Sequence, residues 1–452
     1  MKKIAFLVFM LGPLFLMTVV IHFSAPAKAE SKTIYVDAKN TGSEDGTKEH
    51  PYNTIKEGIN AATSGDTIFV WNGTYLEWNI VLDKDNLSLV GENRDITIID
   101  GSLNYWILIV KAQNVTVTGF TIRNSPIGTA GIFLNHATRS RISKNIIKNH
   151  DSGIYSIFSN DNLIENNWVS DTYAGIILSS VCRENKISKN DVKGNIRGID
   201  LSNGAHNNEI ENNNIVQNTY GISISPDNNS ILGNQILNND VGIYEDSEST
   251  RGYQIFHNNL VNNTKQVDLS SQSKNIWDNG LEGNYWGDYN GTDFTQDGIG
   301  DTLYFINGNN TDHKPLMGPF SDFPVTWEQE TYHVNSVCNS TISAFQFDQA
   351  NKAVRFNVTG KEMTLGFCRI VIPKALMNYT VYTVLVDGNE PTLQKELPCS
   401  NSTHEYLYFT YIHSTCEVTI TPEFPKLALT LLVIIVLTIL VTICKQRFSK
   451  PA

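Results

Sequence analysis

The chain has 452 residues, of which 46 are acidic and 34 are Lys or Arg, so its formal net charge at pH 7 is −12. This acidic balance argues against a nucleic acid or an anionic lipid surface as a binding partner. It suits an exposed, soluble surface.

The N-terminal 29 residues are typical of a secretion signal. Lys2 and Lys3 precede an apolar run from Ile4 to Phe23, and Ala27 to Ala29 has the small-residue pattern of a cleavage site. We expect residues 1–29 to be removed, with an uncleaved anchor as the alternative. Eleven N-x-S/T sequons support this extracytoplasmic location and suggest a glycoprotein; they lie at Asn72, Asn86, Asn114, Asn228, Asn262, Asn290, Asn309, Asn339, Asn357, Asn378 and Asn401.

Residues 31–101 are predicted to form the entry to a repeat structure. Ile34 to Val36 reads as a short strand, and Pro51 to Ala62 as a helix with Ile55 and Ile59 on one face. A helix laid over the first coil would cover an edge whose backbone groups are otherwise unpaired.

Two phrases recur in phase after this entry. Gly-Ile appears six times at intervals of 21 to 23 residues, at Gly131, Gly153, Gly175, Gly198, Gly221 and Gly242. The phrase I-x-x-N-x-(I/V/L) places asparagines at Asn145, Asn167, Asn190, Asn213, Asn234 and Asn258. Apolar residues alternate in short runs, which indicates strands, and a repeat of this length with a strand period predicts a parallel β-helix whose coils pair at about 4.8 Å.

The repeated asparagines are predicted to form a ladder along the axis of the helix. Their side-chain amides would hydrogen-bond from coil to coil, as in other stacked strands. Asparagine also tolerates the left-handed backbone that a sharp corner requires. A leucine-rich repeat is excluded because its L-x-x-L-x-L frame is missing.

Four short phrases precede the repeats: Tyr35-Val-Asp37, Pro51-Tyr52-x-Thr54-Ile55, Gly65 to Ile68 and Gly73 to Tyr75. Together with the repeats they resemble the pectin-lyase-like superfamily and, within it, the NosD-like group. The resemblance covers roughly Thr33 to Pro319 and implies a right-handed parallel β-helix, a fold that hosts many unrelated functions.

The resemblance to the NosD-like group also implies copper as a bound metal, and copper favours His, Met and Cys ligands. The repeat histidines occupy different positions, at His136, His150, His206 and His257, and the mature methionines lie beyond the repeats, at Met317, Met363 and Met377. Copper binding is therefore not expected.

An aspartate-rich stretch follows the last repeat and is similar to the ending of that group. Measured against a calcium loop, Asp293, Thr295 and Asp297 take positions 1, 3 and 5. Ile299 offers a carbonyl and Asp301 takes position 9. The Thr at position 3 and the missing Glu at position 12 favour Asx turns that cap the β-helix. A bound calcium ion is the alternative.

From residue 323 the ladder stops, and alternating runs predict an immunoglobulin-like antiparallel β-sandwich. Its even number of cysteines predicts disulfides. We expect Cys368 to pair with Cys399 and Cys338 with Cys416, out of three possible pairings. A zinc site is disfavoured because no C-x-x-C spacing is present. Cys182, alone in the repeats, is expected to be a buried thiol.

The C-terminus is predicted to anchor the chain. An apolar run from Leu427 to Cys444 is long enough to span a bilayer, and Lys445, Arg447 and Lys450 predict a cytoplasmic tail. The preceding Pro422-Glu-Phe resembles the sorting signals of archaeal surface proteins, which implies a lipid anchor as the alternative. The predicted domains are therefore the signal (1–29), the β-helix with its cap and acidic loop (30–320), the sandwich (323–421) and the anchor (422–452).

One outward column of the repeats is the candidate ligand site. It contains Phe133, Tyr155, Ile177, Asp200, Ser223 and Tyr244, and Tyr173 and Tyr220 lie close by. Aromatic rings beside polar groups on a flat face predict saccharide binding. Cross-strand packing is the alternative explanation for the rings.

A glycosidase needs two catalytic carboxyl groups. They lie about 5 Å or about 6.5–9.5 Å apart, depending on the mechanism. No column holds acids on adjacent coils, although a pair drawn from two columns stays open. Asp200 and Arg197 are the weak catalytic candidates, with a surface ion pair as the alternative.

The sequence predicts a secreted, membrane-anchored β-helix protein that binds surface glycan or polysaccharide without catalysis. A polysaccharide lyase or glycoside hydrolase, and a structural envelope component, are the alternatives.

Overall fold

A computed structural model of the chain describes residues 31–225, 228–246, 250–378 and 381–422. Its short parallel strands, which lie between Thr33 and Trp286, stack into a β-helix with three faces. The prediction of a parallel β-helix is confirmed. The predicted signal sequence lies outside the described residues.

The first face is a sheet of eleven parallel strands. At its centre, Ile142 pairs with Ile164 and Ile164 with Ile187, so that identical side chains stack inward. The strands are Thr33–Val36, Thr67–Val70, Ser88–Gly91, Thr116–Thr118, Arg141–Ser143, Leu163–Glu165, Lys186–Ser188, Glu209–Glu211, Ser230–Leu232, Arg251–Phe256 and Lys274–Ile276.

The second and third faces are joined into one sheet by two long strands that turn the corner, Ile146–Ile157 and Trp168–Ser179. The other strands of the second face are Gly73–Leu76, Thr97–Asp100, Thr121–Arg123, Asp191–Lys193, Asn214–Val216, Gln235–Leu237, Asn259–Val261 and Tyr285–Trp286. Those of the third face are Ile80–Leu82, Leu108–Val110, Ala130–Asn135, Arg197–Leu201, Tyr220–Ile224, Val241–Glu245 and Lys265–Asp268.

Asparagine ladders run along all three corners of the β-helix. In the predicted ladder, the Asn167 amide donates to Asn190 and the Asn190 amide to Asn213, each at 3.0 Å. Two further ladders were missed by the sequence analysis, although their members repeat with the same period. They consist of Asn162, Asn185, Asn208 and Asn229, and of Asn195, Asn218, Asn239 and Asn263.

The left-handed backbone of the first corner belongs to the residue before each ladder asparagine. Lys144 and Lys189 have φ of 56° and 55° and directly precede Asn145 and Asn190. The ladder asparagines themselves do not take this conformation. The turn is made one residue earlier, which leaves the asparagine side chain pointing into the stack.

The repeated Gly-Ile phrase has a steric cause. A Cβ built at Gly175 would lie 2.5 Å from the carbonyl oxygen of Gly198, and one at Gly198 would lie 2.4 Å from that of Gly221. Only glycine allows the coils to approach this closely. The isoleucines that follow are fully buried and belong to one continuous core.

The N-terminal end carries the helix Ile55–Ala61, which is shorter than predicted. Thr54 and Glu57 form a capping box, and Ile55 and Ile59 are buried against the first strands. At the other end, the hairpin Tyr304–Asn307 with Asn310–Asp312 closes the stack.

The described residues from 320 to 422 form two antiparallel sheets. Five strands make one sheet, in the order Phe320–Trp327, Glu330–Cys338, Leu365–Pro373, His404–Ile412 and Leu393–Glu396. Four make the other, in the order Thr341–Asp348, Ala353–Thr359, Thr415–Pro422 and Tyr382–Val386. Side chains of both sheets share one core.

The expected disulfides are not formed. Cys338, Cys368, Cys399 and Cys416 are free, as is the buried Cys182. Cys338 lies opposite Cys368 on neighbouring strands, which differs from the expected pairing. Cys399 instead contacts the guanidinium of Arg369 at 3.6 Å.

The prediction of a C-terminal transmembrane helix is also corrected. Among the described residues, no helix is long and apolar enough to cross a membrane. The predicted span from Leu427 to Cys444 lies outside those residues. The fold class that the structure supports is therefore all-β.

Candidate functional site

The structure places the predicted ligand column on the outer side of the third face. Phe133 pairs in register with Tyr155, and Tyr155 with Ile177. The column continues through Asp200, Ser223 and Tyr244. Tyr220 belongs to the neighbouring column, opposite Arg197.

The aromatic rings of this face form two separate groups. Phe133 and Tyr155 stack with ring centroids 5.6 Å apart, and Trp106 lies 4.2 Å from Phe133. Tyr220 and Tyr244 stack at 4.2 Å further along the face. Sequence reasoning missed Trp106 because it stands before the first Gly-Ile repeat, where the coils are irregular.

A cleft of about 310 Å³ opens beside the first aromatic group. It is lined by Trp106, Asp151, Tyr155, Tyr173, Asp200 and Asn203, among others. Tyr173 is 53% exposed and so presents its ring to solvent. Of the predicted ligand residues, the cleft gathers Tyr155, Tyr173 and Asp200, whereas Phe133, Tyr220 and Tyr244 are not part of its lining.

Asp200 and Arg197 belong to a three-residue charge cluster. The Nη1 atom of Arg197 lies 3.4 Å from Asp200 and 2.7 Å from Asp246, and its Nη2 donates to the other Asp246 oxygen at 3.1 Å. Asp246 comes from a different column, two coils further on. Sequence reasoning found no second acid for Asp200 because it compared equivalent repeat positions only.

Asp200 is largely buried, with 8% of the whole residue and 12% of its side chain exposed. Burial raises its pKa to about 6, with Asp246 adding to the rise and Arg197 opposing it. Among the described residues, its Oδ1 atom has no hydrogen-bond partner, and neither has the Oγ atom of Ser223 on the next coil. A carboxyl with a raised pKa in a cleft is a candidate functional group.

The charge cluster of Arg197, Asp200 and Asp246 restricts the acid–base chemistry of its side chains. The Asp246 carboxylate raises the pKa of Arg197 further above its ordinary value, so Arg197 stays protonated and cannot serve as a general base. Asp200 can hold a proton near pH 6 and can therefore donate one.

The predicted calcium loop is held by its own hydrogen bonds. Asp293 accepts from the backbone N–H groups of Asp297 and Gly298 at 3.0 and 2.8 Å, and Asp301 accepts from Phe294. Two cations of the sandwich donate to loop carbonyls, Lys395 to Thr295 at 2.6 Å and Arg369 to Asp297 at 2.9 Å. The Ile299 N–H donates to the Asp297 carboxylate. These contacts are those of Asx turns at the end of the β-helix.

Stacked parallel strands on three faces, with asparagine ladders at the corners, define a parallel β-helix protein. A family model described as "Periplasmic copper-binding protein (NosD)" matches residues 59–291, which is just over half of the chain. The chain belongs to the NosD family, and the resemblance drawn from its sequence is confirmed. No curated protein matches the chain in sequence.

Three solved structures are similar to the chain, each at 14% identity. The match with pectate lyase Pel9A covers 56% of this chain and 82% of the lyase chain, with a TM-score of 0.42. XylC in complex with xylose covers 54% and 68%, with a TM-score of 0.47. Pectin methylesterase PemA from Erwinia chrysanthemi covers 48% and 81%, with a TM-score of 0.38. Similarity at this level carries no argument about function.

The described residues of the chain do not fit the copper of the family description. Within the described ranges, no three His, Cys, Asp or Glu side chains come together as a group able to hold a metal ion. His150 is buried and bonded to Ser125 and to the Ile122 carbonyl. His257 bonds to Glu282. These imidazoles serve the packing of the fold.

Proposed function

We propose that this chain acts outside the cytoplasm and binds a polysaccharide in the cleft of the third face. The observation that carries the proposal is the cleft itself, in which the rings of Trp106, Tyr155 and Tyr173 lie beside the Asp200 carboxyl. Aromatic side chains provide a large contact area together with a polar handle. Sugar rings have the matching combination of C–H faces and hydroxyl edges.

The dimensions of the cleft support a ligand of this kind. Its volume of about 310 Å³ is at the lower end of the range for small-molecule sites. It is open along a flat strand face, so a polymer can pass through it while one or two units occupy it. The word "periplasmic" in the family description supports a location outside the cytoplasm.

Binding to an array of polysaccharides, measured with the full chain, tests this proposal. Tyr173→Ala should weaken retention about tenfold or more, because it removes the most exposed ring of the cleft. Tyr244→Ala is the matched control, since it removes a tyrosine of the same face outside the cleft. Equal retention by the wild type and Tyr173→Ala would refute the site, and no retention on any polysaccharide would refute the function.

Hydrolysis is the second candidate, and the Asp200 carboxyl favours it. Its raised pKa suits a general acid, and Asp246 supplies a second carboxyl bonded to the same Arg197 nitrogen. A lyase is less favoured because Arg197 stays protonated. Reducing ends released without unsaturated ends by the wild type, and not released by Asp200→Asn, would establish hydrolysis. Binding without release would leave the cleft as a binding site.

A further inference from the structure

The outer side of the second face presents an exposed tryptophan ring. Trp168 is 39% exposed, whereas the next residue, Val169, is fully buried, so the alternation of the strand turns the Trp168 ring outward. Its neighbours in the same column are Ile146 and Asp191, and neither has a ring that could stack on it. The Trp168 ring is therefore accessible from solvent.

Lysines lie around this ring on the coil before it and the coil after it. They form a lysine patch that consists of Lys144, Lys148, Lys189 and Lys193. Lys148 and Lys193 pair in register with Ser170, the outward residue next to Trp168 on its own strand. The other two lie at the left-handed corner that leads into the same two coils. The two pairs are two coils apart, which is about 10 Å along the axis of the β-helix.

The four lysines form no ion pair within the described part of the chain. The ion pairs on the neighbouring first face are formed by other cations, by Arg141 with Glu165 and by Lys186 with Glu211. On a chain with a net charge of −12, four cations without acidic partners in one place are a local excess of positive charge. Such a patch attracts anions.

Two carboxylates adjoin the lysine patch. Asp171 accepts a hydrogen bond from the Ser170 hydroxyl at 2.8 Å, and Asp191 accepts one from the Asn214 amide at 3.0 Å. These bonds hold both carboxylates to groups other than the lysines. Four ammonium groups against two carboxylates leave the patch with a net positive charge.

We infer that the second face binds an acidic polysaccharide, with one sugar ring on Trp168 and the anionic groups of the flanking units at the lysine patch. The Trp168 ring supplies a large flat contact area for the C–H face of a sugar. An ammonium group forms charge-assisted hydrogen bonds with carboxylate or sulfate oxygens. This surface is separate from the cleft of the third face and does not depend on the function proposed for that cleft.

The spacing of the lysines favours a polymer in which anionic units alternate with neutral ones. A sugar unit is similar in length to one coil, so a chain that runs parallel to the axis places one unit on Trp168 and the next unit on each side near a lysine pair. A nucleic acid strand instead carries a phosphate about every 3.4 Å. Most of its charges would meet the acidic remainder of the chain.

Titration of the full chain with three oligomers tests the inference. They are a hyaluronan hexasaccharide, in which every second unit carries a carboxylate, a neutral N-acetylglucosamine hexamer and a single-stranded DNA hexamer. We expect the hyaluronan hexasaccharide to bind about tenfold more tightly than the other two. Rising salt should weaken its binding. Equal binding of the neutral hexamer or of the DNA would overturn the inference.

Two tryptophan variants test the ring. Trp168→Ala should weaken binding of the hyaluronan hexasaccharide about tenfold, and Trp168→Tyr should restore most of the loss because it keeps an aromatic face. Trp78→Ala is the matched control, since Trp78 is 36% exposed on another part of the β-helix. Melting temperatures show that the variants are folded. Full affinity in folded Trp168→Ala would contradict the inference.

Two double lysine variants separate the patch from the overall charge of the chain. Lys148→Gln with Lys193→Gln should weaken binding about tenfold or more and reduce its salt dependence. Lys111→Gln with Lys274→Gln removes the same charge at exposed positions on the other two faces and should keep the affinity. An equal loss in the two double variants would refute a specific site.

The cleft variant Tyr173→Ala distinguishes this surface from the proposed cleft site. We expect it to bind the hyaluronan hexasaccharide as the wild type does. Binding lost in Tyr173→Ala and kept in Trp168→Ala would place the polymer in the cleft, which would overturn the inference and support the proposed function. No binding of the hyaluronan hexasaccharide by the folded wild type would also overturn the inference, and it would leave the cleft to be judged by its own test.

Discussion

Arg369 of the sandwich and Glu282 of the β-helix form an ion pair, with 2.7 Å between Nε and Oε1, in which both side chains are almost fully buried. The second Glu282 oxygen bonds to His257 at 2.9 Å, and the His257 ring stacks on Phe320 at 4.1 Å. Arg369 also donates to the Asp297 carbonyl. The two domains are therefore joined by charges that each have several partners.

Breaking this pair from one side should destabilise the protein strongly. Arg369→Met leaves Glu282 buried without its guanidinium, and we expect the free energy of unfolding to fall by about 3 kcal/mol or more. The double variant with Glu282→Gln should lose less, because no unpaired charge remains. Urea unfolding measures both, and Arg355→Met at an exposed position is the control. If Arg369→Met is as stable as the wild type, its ion pair with Glu282 does not stabilise the protein.

The raised pKa of Asp200 predicts a pH-dependent stability. The folded carboxyl titrates at about 6 and the ordinary value is 3.8, so the folded state binds a proton more tightly than the unfolded state. The contribution of this group to the free energy of unfolding is therefore fully present below pH 3.8 and is lost as the pH rises through 6. Asp200→Asn should gain stability relative to the wild type across that interval. A pH-independent difference in urea unfolding would count against the raised pKa.

The asparagine ladder should be costly to interrupt. Asn190 is buried, accepts from the Asn167 backbone and side-chain N–H groups, and donates to Ile164 and Asn213. Asn190→Ala leaves several buried groups unpaired, and we expect a loss of about 3 kcal/mol or more. Asn214→Ala, on the exposed side of the second face, should cost less than about 0.5 kcal/mol. Similar melting temperatures for the two variants would refute a structural role of the ladder.

Cys338 and Cys368 are the thiols that an oxidant should join. The Cys338 N–H bonds to Pro319 on its other side, so the pair with Cys368 is of the non-hydrogen-bonded type, in which side chains lie closest. Burial and the neighbouring Cys338 raise the pKa of the Cys368 thiol. With oxidised glutathione as electron acceptor, we expect two thiols to become one disulfide that links these residues in peptide mapping.

A Cys416→Ser variant should form the same bond, since Cys416 is not one of the pair. A bond from Cys368 to Cys399 would contradict the register of the strands.

Calcium should leave the melting temperature unchanged. The loop carboxylates of Asp293 and Asp301 already accept backbone N–H groups, and Lys395 contacts a loop carbonyl. Asp301→Asn should lower the melting temperature without calcium, because it weakens these bonds. The comparison uses chelator, calcium and a sodium salt of equal ionic strength. A rise specific to calcium would show that the loop is an ion site.

The repeated part of the fold was accessible from the sequence. Ile142, Ile164 and Ile187 are stacked in register, and the predicted asparagine ladder lies along one corner of the coils. Such columns follow from a local period, because each coil places the same residue over its predecessor. The same reasoning extends to the two ladders that were missed, since Asn195 and Asn218 also repeat with this period.

The sequence alone therefore determined the β-helix, its core and its outward column, since these depend on which residue types recur at equal spacing. Only the tertiary structure decided what surrounds Asp200. Trp106 comes from an irregular coil, and Asp246 reaches Arg197 from two coils away. The pKa of Asp200 is raised by its burial, and burial is a property of the assembled surface that no repeat encodes.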